Sequence, residues 1–180
     1  DVVIAPMHDR TNGNNVIQCT GSLHDIDTST LHDDISALAA MSSPRTAVLI
    51  GGPSRMALFN EGLIEVMLSH LEYDLAKHGG TLLICGSRRT PRAMAEKIRK
   101  RFTGSNFPVW FDDSDGENIY RSALAHAERI VLTPDSVNMI SEACATAAPV
   151  FIAQPERANS RMRIFLEHLE KIGRVKPLGK

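Results

Sequence analysis

Short runs of β-forming residues alternate with helical patterns along this chain from residue 46 onward. The segments between the runs carry apolar residues at every third or fourth position, which is typical of amphipathic helices. The runs themselves lack a clean apolar/polar alternation, as strands do when a parallel sheet is covered on both faces. We therefore predict an α/β fold, a Rossmann-like, doubly wound parallel sheet. Its predicted strands are TAVLI (46–50), TLLIC (81–85), PVWF (108–111), RIVLT (129–133) and PVFIA (149–153).

The predicted helices have recognisable start and stop signals. Gly79-Gly80 can end a helix that begins near Asn60, and Thr90-Pro91 reads as an N-cap followed by proline at the first helical position. The predicted buried faces are Ile64, Met67, Leu68, Leu71 and Leu75 in the first helix and Met94, Ile98 and Phe102 in the second. Further helices are predicted near 117–126, 136–147 and 159–171.

Residues 1–43 follow a different pattern. VVIAP (2–6) and NVIQCTG (15–21) predict strands, and 28–41 predicts a capped helix before a short linker at 42–45. We predict that 1–43 is either the end of a preceding N-terminal domain or an extra βα layer, and that 44–180 is the Rossmann-like domain. The chain opens on an apolar run without an initiator Met, so we expect it to be a piece of a longer polypeptide.

Composition excludes several function classes. A formal net charge of −1 and an aromatic content of 5% argue against nucleic-acid binding. No apolar run is long enough to span a membrane. The three isolated cysteines (Cys19, Cys85 and Cys144) favour reduced thiols in a cytoplasmic protein. Peripheral membrane contact and a protein partner stay open.

Ligands of open parallel sheets bind at the carboxyl ends of the strands, so the strand-exit loops hold the candidate site residues. Gly51-Gly52 follows the first strand directly, and glycines there permit positive φ and close approach of a ligand. An ordinary tight turn explains the same pair equally well.

Ser87, Arg88 and Arg89 precede a helix N-terminus, where the helix dipole prefers an anion to a cation. A bound phosphate or carboxylate would explain both arginines. The alternatives are a solvated basic turn, or salt bridges to the acidic cluster 112–115.

The loop FDDSDGEN (111–118) does not fit an EF-hand, because the register fixed by Gly116 puts Phe111 and Ser122 at positions that need carboxylates. We expect this loop to cap the next helix, with Asn118 and Tyr120 directed into the cleft.

Asp135, Asn138 and Glu142 have the i, i+3, i+7 spacing of one helix face. Asp135 or Ser136 would cap that helix, whose first N–H groups could bind an anion, while Glu142 could accept both hydroxyls of a ribose. In the alternative, Asp135 caps the helix and Glu142 pairs with Arg88, Arg89 or Arg129. Elsewhere, only His8 beside Asp9 resembles an acid/base pair.

Several ordered motifs resemble those of a bacterial and plant family named for a mitochondrial-fission (elongated-mitochondria) factor. TPDSVNMISEACATAAPV (133–150) is similar to the family's T-x-D-S-x-x-M-x-x-E-A-x-x-x-x-x-P-V segment. The family's GGxS, S-R-R-T-P and P-x-H-D elements occur at 51–54, 87–91 and 6–9. DGENIY resembles G-x-N-P-Y with Ile119 in place of proline, and Ala147-Ala148 stands where a glycine is usual.

Members of that family resemble two-domain GT-B glycosyltransferases, such as lipid A disaccharide synthase and the peptidoglycan GlcNAc transferase. The resemblance implies that this chain is the C-terminal, donor-binding half, with 1–43 ending the N-terminal domain and His8-Asp9 facing the interdomain cleft. It further implies donor phosphates near Gly51, Gly52 and Ser54, the nucleoside near Ser87 and Arg88, the diphosphate at Ser136 and Asn138, and the ribose at Glu142.

The sequence therefore predicts a nucleotide-diphosphate-sugar-binding domain of a glycosyltransferase, with His8 and Asp9 as catalytic candidates. The predicted ligand is a nucleotide-diphosphate or nucleotide sugar, with no cofactor and no metal. One alternative is a non-catalytic adaptor that binds a partner protein, as the plant relatives' role in mitochondrial fission implies. A nucleotide-sugar epimerase is a second alternative, weakened by the lack of a dinucleotide-binding glycine fingerprint and of a Tyr-x-x-x-Lys pair.

Overall fold

A six-stranded parallel sheet with helices on both faces forms most of the molecule. The computed structural model describes residues 1–27, 31 and 37–179. Its strands are β1 (Val3–Pro6), β2 (Val16–Cys19), β3 (Arg45–Ile50), β4 (Thr81–Gly86), β5 (Val109–Trp110), β6 (Arg129–Leu132), β7 (Val150–Ile152) and β8 (Val175–Pro177). Its α-helices are α1 (Glu61–His78), α2 (Arg92–Arg101), α3 (Tyr120–His126), α4 (Val137–Cys144) and α5 (Ser160–Lys171).

The strands of the large sheet lie in the order β5-β4-β3-β6-β7-β8, and every neighbouring pair is parallel. The chain runs outward from β3 to β5, returns to β6 beside β3, and then continues to β8. Strand order therefore reverses between β3 and β6. A doubly wound, Rossmann-like sheet is confirmed.

Alternate side chains of β3 divide between two hydrophobic clusters, one on each face of the sheet. Val48 and Ile50 pack with buried residues of α1 and α2, whereas Ala47 and Leu49 pack with residues of α3, α4 and α5. All four are 0% exposed. This double burial explains why the strand shows no apolar/polar alternation in the sequence.

Most predicted elements occur close to their predicted bounds. Asn60 caps α1 by accepting a hydrogen bond from Leu63 N–H, and Gly79 ends that helix with φ of 68°. Thr90 is not an N-cap, because Pro91 takes that position and the Thr90 hydroxyl donates to the carbonyls of Ile50 and Gly51. Strand β8 was not predicted, since only Val175 of its three residues is buried.

Strands β1 and β2 form a separate two-stranded parallel sheet, in which Ile4 pairs with Ile17. The backbone N–H of Ser22 donates to Ser141 Oγ at 3.0 Å and attaches this segment to α4. Most of the predicted helix at 28–41 falls outside the described residues. Residues 37–40 of that segment are described and form a 3-10 helix. The domain boundary near 43 stays a prediction.

Candidate functional site

The glycine loop after β3 is held by side chains that follow β6, at the point where strand order reverses. Gly51 N–H donates to Thr133 Oγ1 at 2.9 Å, and Gly52 N–H donates to Asp135 Oδ2 at 2.9 Å. Ser54 Oγ donates to the Asp135 carbonyl at 3.1 Å. In an open parallel sheet this reversal is where ligands bind, so the glycine loop lies at the candidate site.

Glycine is needed in this loop for close packing, and the expected positive φ is wrong for both residues. A Cβ on Gly51 would lie 2.1 Å from Asp135 Oδ2, and one on Gly52 would lie 2.1 Å from the Arg89 carbonyl oxygen. Both distances are far below van der Waals contact. Because both residues are glycine, the Asp135 carboxylate and the loop that contains Arg89 can approach the backbone that follows β3.

Asp135 lies before α4 and turns into the protein, so it does not share a helix face with Asn138 and Glu142. Its side chain is 0% exposed, and Oδ2 also accepts from Arg89 Nη2 at 2.9 Å. Its second oxygen, Oδ1, is buried and has no hydrogen-bond partner within the described part of the chain. Ser136 is the N-cap of α4, where it accepts from Met139 N–H, while Asn138 is exposed in the first turn.

The two neighbouring arginines have different surroundings. Arg89 bonds Asp135 and also donates to the Gly52 carbonyl at 3.0 Å, so its guanidinium ties two loops together. Arg88 is exposed and has no hydrogen-bond or ion-pair partner among the described residues. Ser87 Oγ accepts from Arg89 N–H at 3.2 Å, which fixes the turn that carries both arginines.

The acidic loop forms salt bridges with Arg99. The predicted alternative, in which Arg88 or Arg89 pairs with this loop, is wrong. Arg99 Nη2 lies 2.9 Å from Asp112 Oδ2 and 2.5 Å from Asp115 Oδ2. Hydrogen bonds from Ser114 and Arg99 lower the pKa of Asp112 to about 2. Asp112 caps a short 3-10 helix at 113–115, whereas the exposed Asn118 accepts from Tyr120 N–H ahead of α3.

Glu142 pairs with Tyr120, so the expected alternative of an arginine partner is wrong. The Tyr120 hydroxyl donates to Glu142 Oε2, and burial together with that carboxylate raises the pKa of Tyr120. Arg129 instead donates to Thr46 and Asp74. Glu142 is half-buried, and its other oxygen, Oε1, accepts no hydrogen bond from a described residue.

His8 and Asp9 lie beside the first turn of α5, where Arg161 is located. His8 Nε2 is 3.4 Å from Asp9 Oδ1, and Arg161 donates to the same carboxylate oxygen. The imidazole is 7% exposed and packs against Phe165 with ring centroids 5.1 Å apart. Burial lowers the pKa of His8, so the ring is neutral at pH 7.

A model of the mitochondrial fission ELM1 family matches residues 1–180. The chain belongs to this family. It is 32% identical over 165 residues to the "Mitochondrial fission protein ELM1" of Arabidopsis thaliana, which covers 89% of this chain and 38% of the plant protein. It is 35% identical over 135 residues to the "Uncharacterized protein RP120" of Rickettsia prowazekii (strain Madrid E), which covers 72% of this chain and 38% of that protein. No solved structure matches.

This member of the mitochondrial fission ELM1 family spans 38% of the length of each of these relatives. Within residues 1–27, 31 and 37–179, no helix is both long and apolar enough to cross a bilayer. In the same residues, no three His, Cys, Asp or Glu side chains form a group that could hold a metal ion.

The structure brings some of the candidate residues together and separates others. One group lies at the strand-order reversal, the Tyr120–Glu142 pair joins α3 to α4, and His8-Asp9 lies at α5. Sequence reasoning missed the inward turn of Asp135 and the Tyr120–Glu142 bond. The 22-residue separation of the bonded pair leaves no local signal in the sequence. The group at the reversal consists of Gly51, Gly52, Ser54, Ser87, Arg89, Asp135 and Ser136.

Proposed function

We propose that this chain is the nucleotide-diphosphate-sugar-binding domain of a GT-B-like glycosyltransferase. The observation that carries the proposal is the convergence of an arginine loop, a glycine loop and the N-terminus of α4 where β3 and β6 are neighbours. Open α/β sheets bind nucleotides at this point, because helix N-termini there present N–H groups to phosphate.

The diphosphate would contact Arg88 and the first turn of α4. The N–H groups of Gly51 and Gly52 already bond Thr133 and Asp135, so they are poor phosphate donors in this arrangement. Val137 and Asn138 lie in the first turn of α4, where N–H groups lack intrahelical acceptors. Together with Arg88, they would stabilise negative charge on the leaving diphosphate without a metal.

The ribose would bind Glu142. A carboxylate can accept from two adjacent hydroxyls, and Oε1, which bonds no described residue, could accept from one of them. Tyr120 holds the other oxygen, Oε2, and so fixes the direction of the carboxylate. The second ribose hydroxyl would either share Oε2 with the Tyr120 hydroxyl or displace the Tyr120 hydroxyl from it.

His8 and Asp9 are the proposed acid/base pair. The lowered pKa of His8 supports this role, since a neutral imidazole can accept a proton from an acceptor hydroxyl. Because the ring is 7% exposed, the acceptor could reach it only if residues 7–9 moved away from Phe165.

The proposal is tested by thermal shift and calorimetry with UDP, GDP, ADP and CMP. A ligand that binds only the native state raises the free energy of unfolding, by about 2.7 kcal/mol at 100 times its Kd. We expect one nucleoside diphosphate to stabilise the wild type and not Glu142→Ala. The matched control is Glu167→Ala on the exposed side of α5, which should bind like the wild type.

A second candidate function, a non-catalytic adaptor, is favoured by one observation. Val2, Ile4, Ile17 and Leu23 are 68%, 52%, 58% and 72% exposed, and an apolar surface of this kind suits a protein partner. An adaptor would tolerate Glu142→Ala and lose its partner on Ile17→Ser. If no nucleotide binds, the titration is repeated on a longer member of the family, and failure there as well would favour the adaptor.

A further inference from the structure

An open groove of about 500 Å³ lies at the carboxyl ends of β4 and β5, next to the strand-order reversal. Ser87 and Arg88 form one side, and residues 110–113 with Asn118 form the other. The arginine loop is shared with the site at the reversal, because the Thr90 hydroxyl bonds the carbonyls of Ile50 and Gly51. A ligand at the reversal can therefore extend across this loop into the groove.

Trp110 is a half-buried aromatic residue that lines this groove. Its neighbours Val109 and Phe111 pack into the hydrophobic cluster shared with α1 and α2. The Trp110 indole N–H donates to the Gly116 carbonyl at 3.2 Å, which fixes the orientation of the ring. Because Trp110 lines an open groove, a ligand in that groove can contact its ring.

The charges along the groove give it a direction. Among the described residues, Arg88 has no hydrogen-bond or ion-pair partner. The groove is also lined by Arg92, Asp112 and Asp113. Arg92 is paired with Glu96, and Asp112 is paired with Arg99. Phosphates would be attracted to Arg88 and repelled by the exposed Asp113 carboxylate. The strand spacing of about 4.8 Å puts β5 roughly 10 Å from β3, a separation that the phosphates and base of one nucleotide can bridge.

We propose that this groove binds the base of a nucleotide stacked on Trp110, with the phosphates directed past Arg88 toward the strand-order reversal. The inference rests on the proposed nucleotide site and adds the position and direction of the base. Stacking accepts any base because every base has a π face, so the choice among bases falls to polar groups of the groove such as Ser87 and Asn118.

The test uses the fluorescence of Trp110, which is the chain's single tryptophan. UDP, GDP, ADP and CMP are titrated against wild type, Trp110→Tyr and Trp110→Leu, with calorimetry in parallel and inorganic pyrophosphate as the control without a base. We expect the tightest nucleotide to quench the emission and pyrophosphate to leave it unchanged. Trp110→Leu should weaken that nucleotide roughly 10-fold and leave pyrophosphate affinity unaltered, while Trp110→Tyr keeps most of the affinity.

Three results would overturn the inference. Nucleotide binding by calorimetry with unchanged emission and unchanged affinity in Trp110→Leu would reject the stacked base and leave the nucleotide site standing. Equal quenching by pyrophosphate would show that the ring responds to the anion and not to a base. Absence of binding by all four nucleotides would reject the stacked base in this chain, while the proposed function would then be decided by the titration of the longer family member. The unfolding midpoints of Trp110→Tyr and Trp110→Leu, compared with wild type, check that a lower affinity does not result from unfolding of the variant.

Discussion

The chain contains two parallel sheets that differ in how far they are covered. In the large sheet, Val48 and Ile84 are 0% exposed, whereas Ile4 and Ile17 of the small sheet are 52% and 58% exposed. The connection from β3 to β4 contains the 18-residue helix α1, which covers one face of the large sheet. The connection from β1 to β2 runs only through 7–15 and contains a three-residue 3-10 helix. Both sheets are parallel, so pairing does not explain the difference in burial. The difference depends on whether the segment that connects two strands contains a helix that can cover a face of the sheet.

Matched isoleucine substitutions give the largest contrast between the two sheets. Ile84→Ala removes buried methyl groups and leaves a cavity, so it should lower the free energy of unfolding by about 2–5 kcal/mol. Ile17→Ala removes mostly exposed groups and should change it by less than about 0.5 kcal/mol. Urea unfolding of both variants checks the difference. Equal losses would mean that the small sheet is covered in solution.

The carboxyl edge of the large sheet offers the next contrast, between adjacent arginines. Arg89→Ala leaves the buried Asp135 carboxylate with Gly52 N–H as its remaining partner, and should cost about 2 kcal/mol. Arg88→Ala removes an exposed side chain that has no partner in the described part of the chain, and should cost less than about 0.5 kcal/mol. Unfolding midpoints in urea measure both. A larger loss for Arg88→Ala would contradict the assignment of Arg89 as the residue that ties the loops together.

The large sheet could be predicted from the sequence because its signals are local. Apolar runs identified β3, β4 and β6, and the 3.6-residue period identified α1 with four of its buried residues, while Leu63 was missed and Leu75 is only partly buried. The candidate site was harder, since spacing alone cannot tell whether Asp135 or Ser136 is the cap. That choice depends on space beside Gly51, which is a tertiary property. The glycines themselves were located correctly, but the reason for them was close packing and not positive φ.

A third contrast uses the chain's two tyrosines, Tyr120 and Tyr73. Tyr120→Phe removes a hydrogen bond to the Glu142 carboxylate and should cost about 1–2 kcal/mol, whereas Tyr73, which is 67% exposed, should be replaceable by Phe at almost no cost.

The same pair predicts an alkaline pH dependence. The pKa of Tyr120 is raised in the native state, so the unfolded chain releases this proton near pH 10 while the native chain keeps it. Its contribution to the free energy of unfolding is therefore complete below pH 10 and is lost as pH rises above that value. Urea unfolding between pH 8 and 11 should show a steeper decline for wild type than for Tyr120→Phe. Equal slopes for the two proteins would show that the Tyr120–Glu142 hydrogen bond is not formed in the native state in solution.

The smallest expected effect concerns the packing of His8 against Phe165 of α5, one of the contacts that join the segment of the small sheet to the rest of the molecule. Desolvation of the buried His8 ring lowers its pKa, the Asp9 carboxylate opposes that shift, and Arg161 adds to it. The unfolded segment takes up a proton near pH 6.5 while the packed segment does not. The stability of the contact with Phe165 is therefore complete above about pH 6.5 and declines at lower pH.

Because His8 belongs to the 3-10 helix that directly follows β1, acid should loosen β1 and β2 selectively. Amide hydrogen exchange at pH 7.0 and 5.5, corrected for the intrinsic rate, should show faster opening at residues 3–8 and unchanged protection in β3 and β4. His8→Gln should remove that pH dependence, whereas His24→Gln, an exposed histidine in the same segment, should keep it. Equal loosening of both sheets would mean that the small sheet opens only when the whole molecule unfolds. The two sheets would then form one cooperative unit despite their unequal cover.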